Sequence, residues 1–339
     1  MKLEKRYAIG YLVQFYEIEM FVDDCVNGLR NMLDGIDNPA NITLDFVFDI
    51  REDFERVDDE KINNDTIIDR FLNSIFQLKR DFNVNITHDI LKEQNGDPKA
   101  IAWYRRDFNY RYADVVDFLM WGETDSFFPK ETFGALEQLS EYTMKNDIHR
   151  YVVSFAYRKM WDAGWKILEH PEFTNVEYEE TEEWNLRNPA SEKCYMSCEQ
   201  MNQLNERYTK NGFDITQLTE PKFDGSCLVI SSEMVKAGIN IPHALLMSGE
   251  DTSFGVNAKK ILGDGYRQFH ISNVLRVHNR RHVKKRLYIK GENNPQGFCG
   301  ISDKGKWWKV LETMSKENLY NLDNPRFKFH TWKDFFKVI

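Results

Sequence analysis

Cysteine is scarce in this chain and falls without pattern: five residues, Cys25, Cys194, Cys198, Cys227 and Cys299. An odd number at irregular spacing argues against a disulfide framework and for reduced thiols. Cys194 and Cys198 are four apart, but no second Cys/His pair stands at zinc-finger spacing, which argues against a structural zinc. No run of about 18 apolar residues occurs, so no membrane-spanning helix is expected. The opening Met1-Lys2-Leu3-Glu4-Lys5-Arg6 lacks the apolar core and cleavage site of a signal peptide, and a cytosolic location is expected. Glycine-rich phosphate loops are missing too. No Gly-x-Gly-x-x-Gly opens a helix after the first strand, no Walker-type loop ends in Lys-Ser/Thr, and no Gly-x-Ser-x-Gly elbow is found. Phosphates, if bound, must be held by metal and basic side chains. A net charge of −9 argues against a surface that grips nucleic acid all over.

What is present is enough chain, 339 residues, for one large α/β domain or two modest ones. Tyr7 to Phe15 reads as a strand, Glu19 to Leu33 as a helix, and Ile42 to Phe48 as a second strand ending on Asp49. Helix Asn64 to Asp81 and strand Phe82 to Thr87 repeat the alternation, and Val115 to Trp121 is an apolar strand. Such an order predicts a mostly parallel central sheet with helices on both faces, its ligands beyond the carboxyl ends of the strands. Asp49, His88, Asp89, Glu123 and Asp125 are expected at those ends. Pro129 to Asn146 and Arg150 to Leu168 read as helices, and about 169–218 as a mostly helical or loop insertion. Further on come a short strand within Phe223 to Ser231, helices from Ser232 to Ala237 and Ser253 to Leu262, and a strand Phe269 to Val277 delivering His278. The expected division is a catalytic domain over 1–290 and a C-terminal cap over 291–339 packed on it.

Two acidic clusters carry the chemistry. The apolar strand stops on Gly122-Glu123-Thr124-Asp125, whose two carboxylates are spaced so that on a strand they leave side by side. Oxygen ligands of this kind suit Mg²⁺ or Mn²⁺ with positions left for substrate phosphates. The tripeptide alone is equally an acidic turn after a buried strand. Far downstream stands Gly249-Glu250-Asp251-Thr252, which on its own is a helix cap whose acids complement the helix dipole. His278 is either a third ligand, favouring Mn²⁺ over Mg²⁺, or a core histidine. Arg276, Arg280, Arg281, Lys284, Lys285, Arg286 and Lys290 crowd residues 276–290, a strip able to hold phosphates or merely a solvated face. Trp161 and Trp165 share one helical face, as a stacking platform or as core.

The order of these parts resembles the GT-A glycosyltransferases, particularly the inverting family-2-like members, over roughly residues 7 to 282. A strand ends in Glu-Thr-Asp, a Phe-Asp-Gly strand (Phe223-Asp224-Gly225) precedes the Glu-Asp helix start, and a strand ends in Val277-His278-Asn279. The resemblance implies a Rossmann-like nucleotide-sugar domain. It implies a divalent cation, Mn²⁺ or Mg²⁺, on Glu123, Asp125 and His278, and Asp251 as general base. The donor, a nucleotide sugar and foremost a UDP-sugar, is then expected near Asp49, Arg105, Arg106 and Glu123. The acceptor is expected near Glu250, Trp161, Arg280 and Lys284. Here Glu123 replaces the first Asp of the Asp-x-Asp motif, keeping the carboxylate on a longer arm. Compact anchorless relatives occur among phage-encoded enzymes. The acceptor is therefore either a hydroxymethylated base in phage DNA, reached through the basic segment 276–290, or a surface polysaccharide or protein. A phage enzyme would work in the host cytoplasm. A metal-dependent nucleotidyltransferase or phosphohydrolase and a non-catalytic binding module remain the rivals.

Overall fold

A computed structural model describes residues 1–50, 64–92, 100–159, 196–222, 225–245, 249–279 and 313–320. Its centre is β1 (Tyr7–Gln14), buried along its whole length except at Gln14. Strands covered on both faces read as continuous apolar runs, and β1 does. Tyr7, Ile9, Tyr11 and Val13 enter one core while Ala8 and Leu12 enter the other, the two-residue period of a pleated strand. β1 pairs in parallel with β2 (Ile42–Asp49) and with β4 (Phe118–Trp121), and β2 with β3 (Asn85–Leu91). The nine-stranded sheet then continues through β8 (Val229–Ser231), β6 (Val152–Lys159) and β9 (Gln268–His278) to β5 (Ser126–Phe127). A last strand, β7 (Ile215–Leu218), pairs with β9 off this path. The pairings run β1, β2, β3, β4, β6 and β9 one way and β5, β7 and β8 the other. The chain is thus the expected α/β protein, with a mostly parallel sheet.

Helices cover both faces. On one lie α1 (Ile18–Met20), a π turn (Phe21–Cys25), α2 (Val26–Leu33) and α3 (Asn64–Phe82), around Phe21, Phe46, Phe48 and Phe71. Phe48 and Phe71 stack at 4.6 Å, a geometry worth about 0.5–1.5 kcal/mol beyond the area it buries. On the other lie α4 (Ile101–Tyr112), α7 (Ser232–Lys236) and α8 (Glu250–Leu262), around Phe108, Trp121, Met234 and Phe254. α4 presses onto β1 at Gly10, where a Cβ would lie 2.7 Å from both the Phe108 ring and the Tyr104 hydroxyl. α5 (Thr132–Lys145) and α6 (Cys198–Tyr208) complete the set, the latter opened by a capping box between Ser197 and Gln200. No described helix is long and apolar enough to cross a membrane.

Several local readings change. Arg150 to Leu168 is not a helix where it is described: Val152–Lys159 is strand β6. Residues 151–157 are buried without a break, so no helical or strand period distinguishes them, and the β-branched and aromatic run Val-Val-Ser-Phe-Ala-Tyr decides for a strand. β3 begins three residues later than expected, because α3 runs on to Phe82 and ends at Asn83 in the left-handed region (φ 54°). His88 consequently lies in mid-strand, exposed on the sheet edge, not at a carboxyl end. The expected insertion contains β7, a strand of the main sheet. Of the expected cap, helical residues 313–320 are described, and Asn318 Nδ2 donates to the Ala244 carbonyl at 2.6 Å. The aromatic tail around Trp307 and Trp332 lies outside the described residues.

α4 is clamped to β2 by one carboxylate. Buried Asp45 accepts from both Nη atoms of Arg111 at 2.8 Å, from Tyr104 at 2.8 Å, from Tyr112 at 2.9 Å and from Thr87 at 2.7 Å. Burial alone would raise its carboxyl pKa, but the Arg111 guanidinium and these hydroxyls hold it below the ordinary value of 3.8. Asp45→Asn should cost about 2–3 kcal/mol at neutral pH, the low end for a charged network because Arg111 is over a third exposed. The depressed carboxyl stabilises the fold above pH 3.8 and loses that contribution as the pH falls through the folded value. Urea midpoints of the two proteins should therefore differ at pH 7 and converge below pH 3.8.

Candidate functional site

The carboxyl ends of β1, β2, β4, β6 and β9 share one edge of the sheet, and the site begins there. β4 stops at Trp121, and the next position must be glycine, since a Cβ on Gly122 would lie 2.4 Å from the Tyr11 ring. The chain then turns through Glu123 to Asp125 and returns as β5, whose Ser126 is in register with His278. The backbone N–H of Asn279 donates to the Asp125 carbonyl at 2.9 Å, locking that return. Glu123 and Asp125 therefore converge through a turn, not as neighbours on one pleat as expected. His278 Nε2 lies 3.2 Å from Asp125 Oδ1 and 3.5 Å from Glu123 Oε2.

One ligand atom from each of the three residues lies within 4.8 Å of the others. Ligands about 2.1 Å from an octahedral cation stand roughly 3 Å apart in adjacent positions, so the donor set fits Mg²⁺ or Mn²⁺ in spacing and in chemistry. Behind His278 stands Tyr157 of β6, its hydroxyl 3.0 Å from Nδ1. The Arg276 guanidinium lies over the Tyr157 ring at 4.9 Å and donates to the hydroxyls of Ser126 and, at 2.7 Å, Ser226. Burial keeps the Tyr157 phenol well above its ordinary pKa.

Arg105 joins this seat to the second acidic cluster. It rises from α4 with only 1% of its surface exposed, donates to Glu123 Oε1 at 2.9 Å and to Glu250 Oε1, and lies 5.0 Å from the Trp121 ring. Burial works against its charge, but Glu250 and then Glu123 outweigh it and hold the guanidinium above its ordinary pKa. Glu250 and Asp251 are the first residues of α8, whose N-cap is Gly249 in the left-handed region (φ 79°). Glycine takes this φ without strain, so the cap is Gly249, and Asp251 lies in the first turn of the helix, accepting from the Thr252 N–H at 2.7 Å. Burial foremost, with Asp251 beside it, raises the Glu250 carboxyl to about 7 against the pull of Arg105. Burial likewise lifts the Asp251 carboxyl. Gly225 closes the gap from the β8 side: a Cβ there would lie 3.2 Å from Arg105 Nη1 and 3.3 Å from both Asp251 Oδ2 and Glu250 Oε1.

The other expected residues fare differently. Asp49 is buried at the carboxyl end of β2, on the same edge. Arg105 and Arg106, expected near the donor, are both buried and hydrogen-bonded to protein groups. Arg106 donates to the carbonyls of Pro242 at 3.1 Å and Leu245 at 3.2 Å. A hollow of about 230 Å³ lies on that side, lined by Tyr110, Asn240, Pro242, His243 and Asn257, and touches neither acidic cluster. Arg276, counted in the basic strip, is fully buried. Trp161, Trp165, Arg280, Lys284 and the rest of the strip lie outside the described residues. Tyr157 was missed, since a tyrosine in an apolar strand has no sequence signal of its own. So was Glu17, which accepts from the Thr124 hydroxyl at 3.0 Å and braces the turn between the two metal-seat carboxylates.

No protein-family model and no curated protein sequence matches this chain. Among solved structures it is similar to TarS of S. aureus, at 14% identity and a TM-score of 0.38, over 86% of this chain and 38% of that one. It is also similar to GalNAc-T7 with UDP, GalNAc and Mn²⁺, at 10% identity and a TM-score of 0.47, over 98% of this chain and 53% of that one.

Arg105→Met should destabilise the protein by about 3–5 kcal/mol, because buried Glu250 and partly exposed Glu123 lose their shared counter-charge. Adding Glu250→Gln should recover part of the loss by removing one of them. Urea denaturation of the single and double variants checks this; a double variant less stable than Arg105→Met would contradict it.

Proposed function

We propose that this chain is a metal-dependent glycosyltransferase of the GT-A type, moving a sugar with inversion from a nucleotide sugar, foremost a UDP-sugar, to an acceptor hydroxyl. The observation that carries this reading is the contact of Arg105 with both Glu123 and Glu250, which brings two motifs distant in sequence together. One side offers a seat for a cation, the other a pair of carboxylates with raised proton affinity.

The division of labour follows from charge. A divalent ion held by Glu123, Asp125 and His278 supplies Lewis acidity to the leaving diphosphate when bound. The acceptor oxygen attacks the anomeric carbon from the opposite side, forming the new C–O bond. The bond from that carbon to the diphosphate breaks, and the electron pair leaves with the nucleoside diphosphate. Asp251 Oδ2, facing Gly225, takes the acceptor's proton. A carboxylate with raised pKa is the better base for that step at neutral pH. Glu250, tied to Arg105, orients the acceptor side. Asp49 is assigned to the nucleoside, at the same sheet edge. Arg105 stays with the two carboxylates, in place of the diphosphate.

Of the two acceptor classes, the burial of Arg276 favours a surface polysaccharide precursor or a protein over duplex DNA, since it withdraws one cation from the basic strip. A DNA acceptor predicts duplex binding that weakens steeply with salt and is abolished by charge reversal at Arg280 and Lys284.

Thermal shifts with UDP, GDP, ADP and CMP, each with and without Mn²⁺, test the core of the proposal. At a hundred times its dissociation constant the right nucleotide adds about 2.7 kcal/mol, and the expected result is a UDP shift seen only with Mn²⁺ and lost in Asp125→Ala. No metal-dependent nucleotide shift at all would sink the reading. Asp251→Asn should keep that shift while transfer falls by about 10²–10⁴; an active Asp251→Asn protein would remove Asp251 from the role of base.

A further inference from the structure

We propose that Tyr157 is a positioning residue of the cation seat, aiming His278 and fixing which of its nitrogens is free to bind; the inference rests on the cation-seat reading above. β6 and β9 run in parallel with Tyr157 opposite Arg276 and Lys159 opposite His278. Side chains two apart on a strand share a face, so Arg276 and His278 emerge together and the Tyr157 ring meets both. The distances agree: 4.9 Å from the Arg276 guanidinium to the ring, and 3.0 Å from the Tyr157 hydroxyl to His278 Nδ1.

An imidazole that offers the Nε2 lone pair to a cation must carry its proton on Nδ1, and that N–H needs an acceptor. The Tyr157 oxygen is the group in place, 3.0 Å from Nδ1. The ring cannot drift: Tyr157 is buried, and Arg276 above it is held by Ser126 and Ser226. Ser126 follows Asp125 directly in β5. One buried cluster therefore sets the aim of His278 on β9 and the position of Asp125 in the turn that leads into β5.

Mn²⁺ alone, titrated into the full chain and followed by the electron paramagnetic resonance of the free ion, reads this without any substrate. Tyr157→Phe keeps the ring over Arg276 and removes the acceptor. The expected result is Mn²⁺ affinity about 10- to 100-fold weaker than wild type, with loss of the imidazole nitrogen coupling to bound Mn²⁺ as in His278→Ala. Affinity within twofold of wild type, or weaker affinity with the nitrogen coupling intact, overturns the inference alone. A wild-type protein that binds no Mn²⁺ overturns the cation-seat reading and this inference with it. If Tyr157→Phe does not fold, Ser226→Ala removes the next link; a severalfold loss of affinity supports the proposal and unchanged affinity overturns it.

Discussion

The arrangement depends on one buried guanidinium. Arg105 carries a full charge to a place where water contributes almost nothing, and a charge in such a place persists only when paired and hydrogen-bonded. Its partners come from the turn after β4 and the start of α8, so the same requirement that stabilises the arginine forces two acidic segments together. The consequence for Glu123 is directional. One of its oxygens is taken by Arg105, and the other is turned toward His278 and Asp125. Four carboxyl groups, on Glu123, Asp125, Glu250 and Asp251, thus gather near two buried guanidiniums, on Arg105 and Arg276, and burial raises the proton affinity of the two on α8.

Sheet topology explains why these side chains meet at all. Parallel strands end their chemistry on one edge, but β4 and β9 are not neighbours in the sheet; β8 and β6 lie between them. The short return of β5 onto β9 spans that distance, delivering Asp125 to His278 without another strand. The same two-residue strand brings Ser126 beneath Arg276, so the seat and its backing are built by one hairpin-like turn. Thr124, between Glu123 and Asp125, is braced by Glu17 from the turn that follows β1. A turn fixed at both flanks holds its carboxylates in register with little freedom left to lose when a ligand binds.

What the sequence made legible was the part that periodicity and abrupt composition changes can carry. β1 and β2 are long apolar runs ending on polar residues, and both acidic clusters follow an apolar segment directly. Burial was less legible. Arg105 and Arg106 were expected near the donor, and their burial against the carboxylates and carbonyls of distant segments has no local signal in the sequence. β6, buried on both faces, has no alternation to betray it. β7 is four residues of mixed polarity whose strand conformation comes from pairing with β9. The start of α8 was displaced because Gly249 in the left-handed region, and not an acidic side chain, begins the helix. In each case the missing information is a contact between segments far apart in sequence.

Two glycines carry that argument into the acceptor side. Gly249 turns the chain so that Glu250 and Asp251 enter α8 facing Arg105, and the space its missing side chain would occupy is closed by Leu319 at 3.1 Å. Gly225 approaches the same carboxylates from the β8 side so closely that a Cβ there would lie 3.2–3.3 Å from Arg105, Glu250 and Asp251 and press on all three. The aim of the proposed base is therefore not a property of Asp251 alone. It follows from a left-handed turn backed by residues 313–320, a close backbone approach at Gly225, and a buried cation between them. A side chain added at Gly249 meets Leu319 first, whereas one at Gly225 presses directly on Arg105, Glu250 and Asp251.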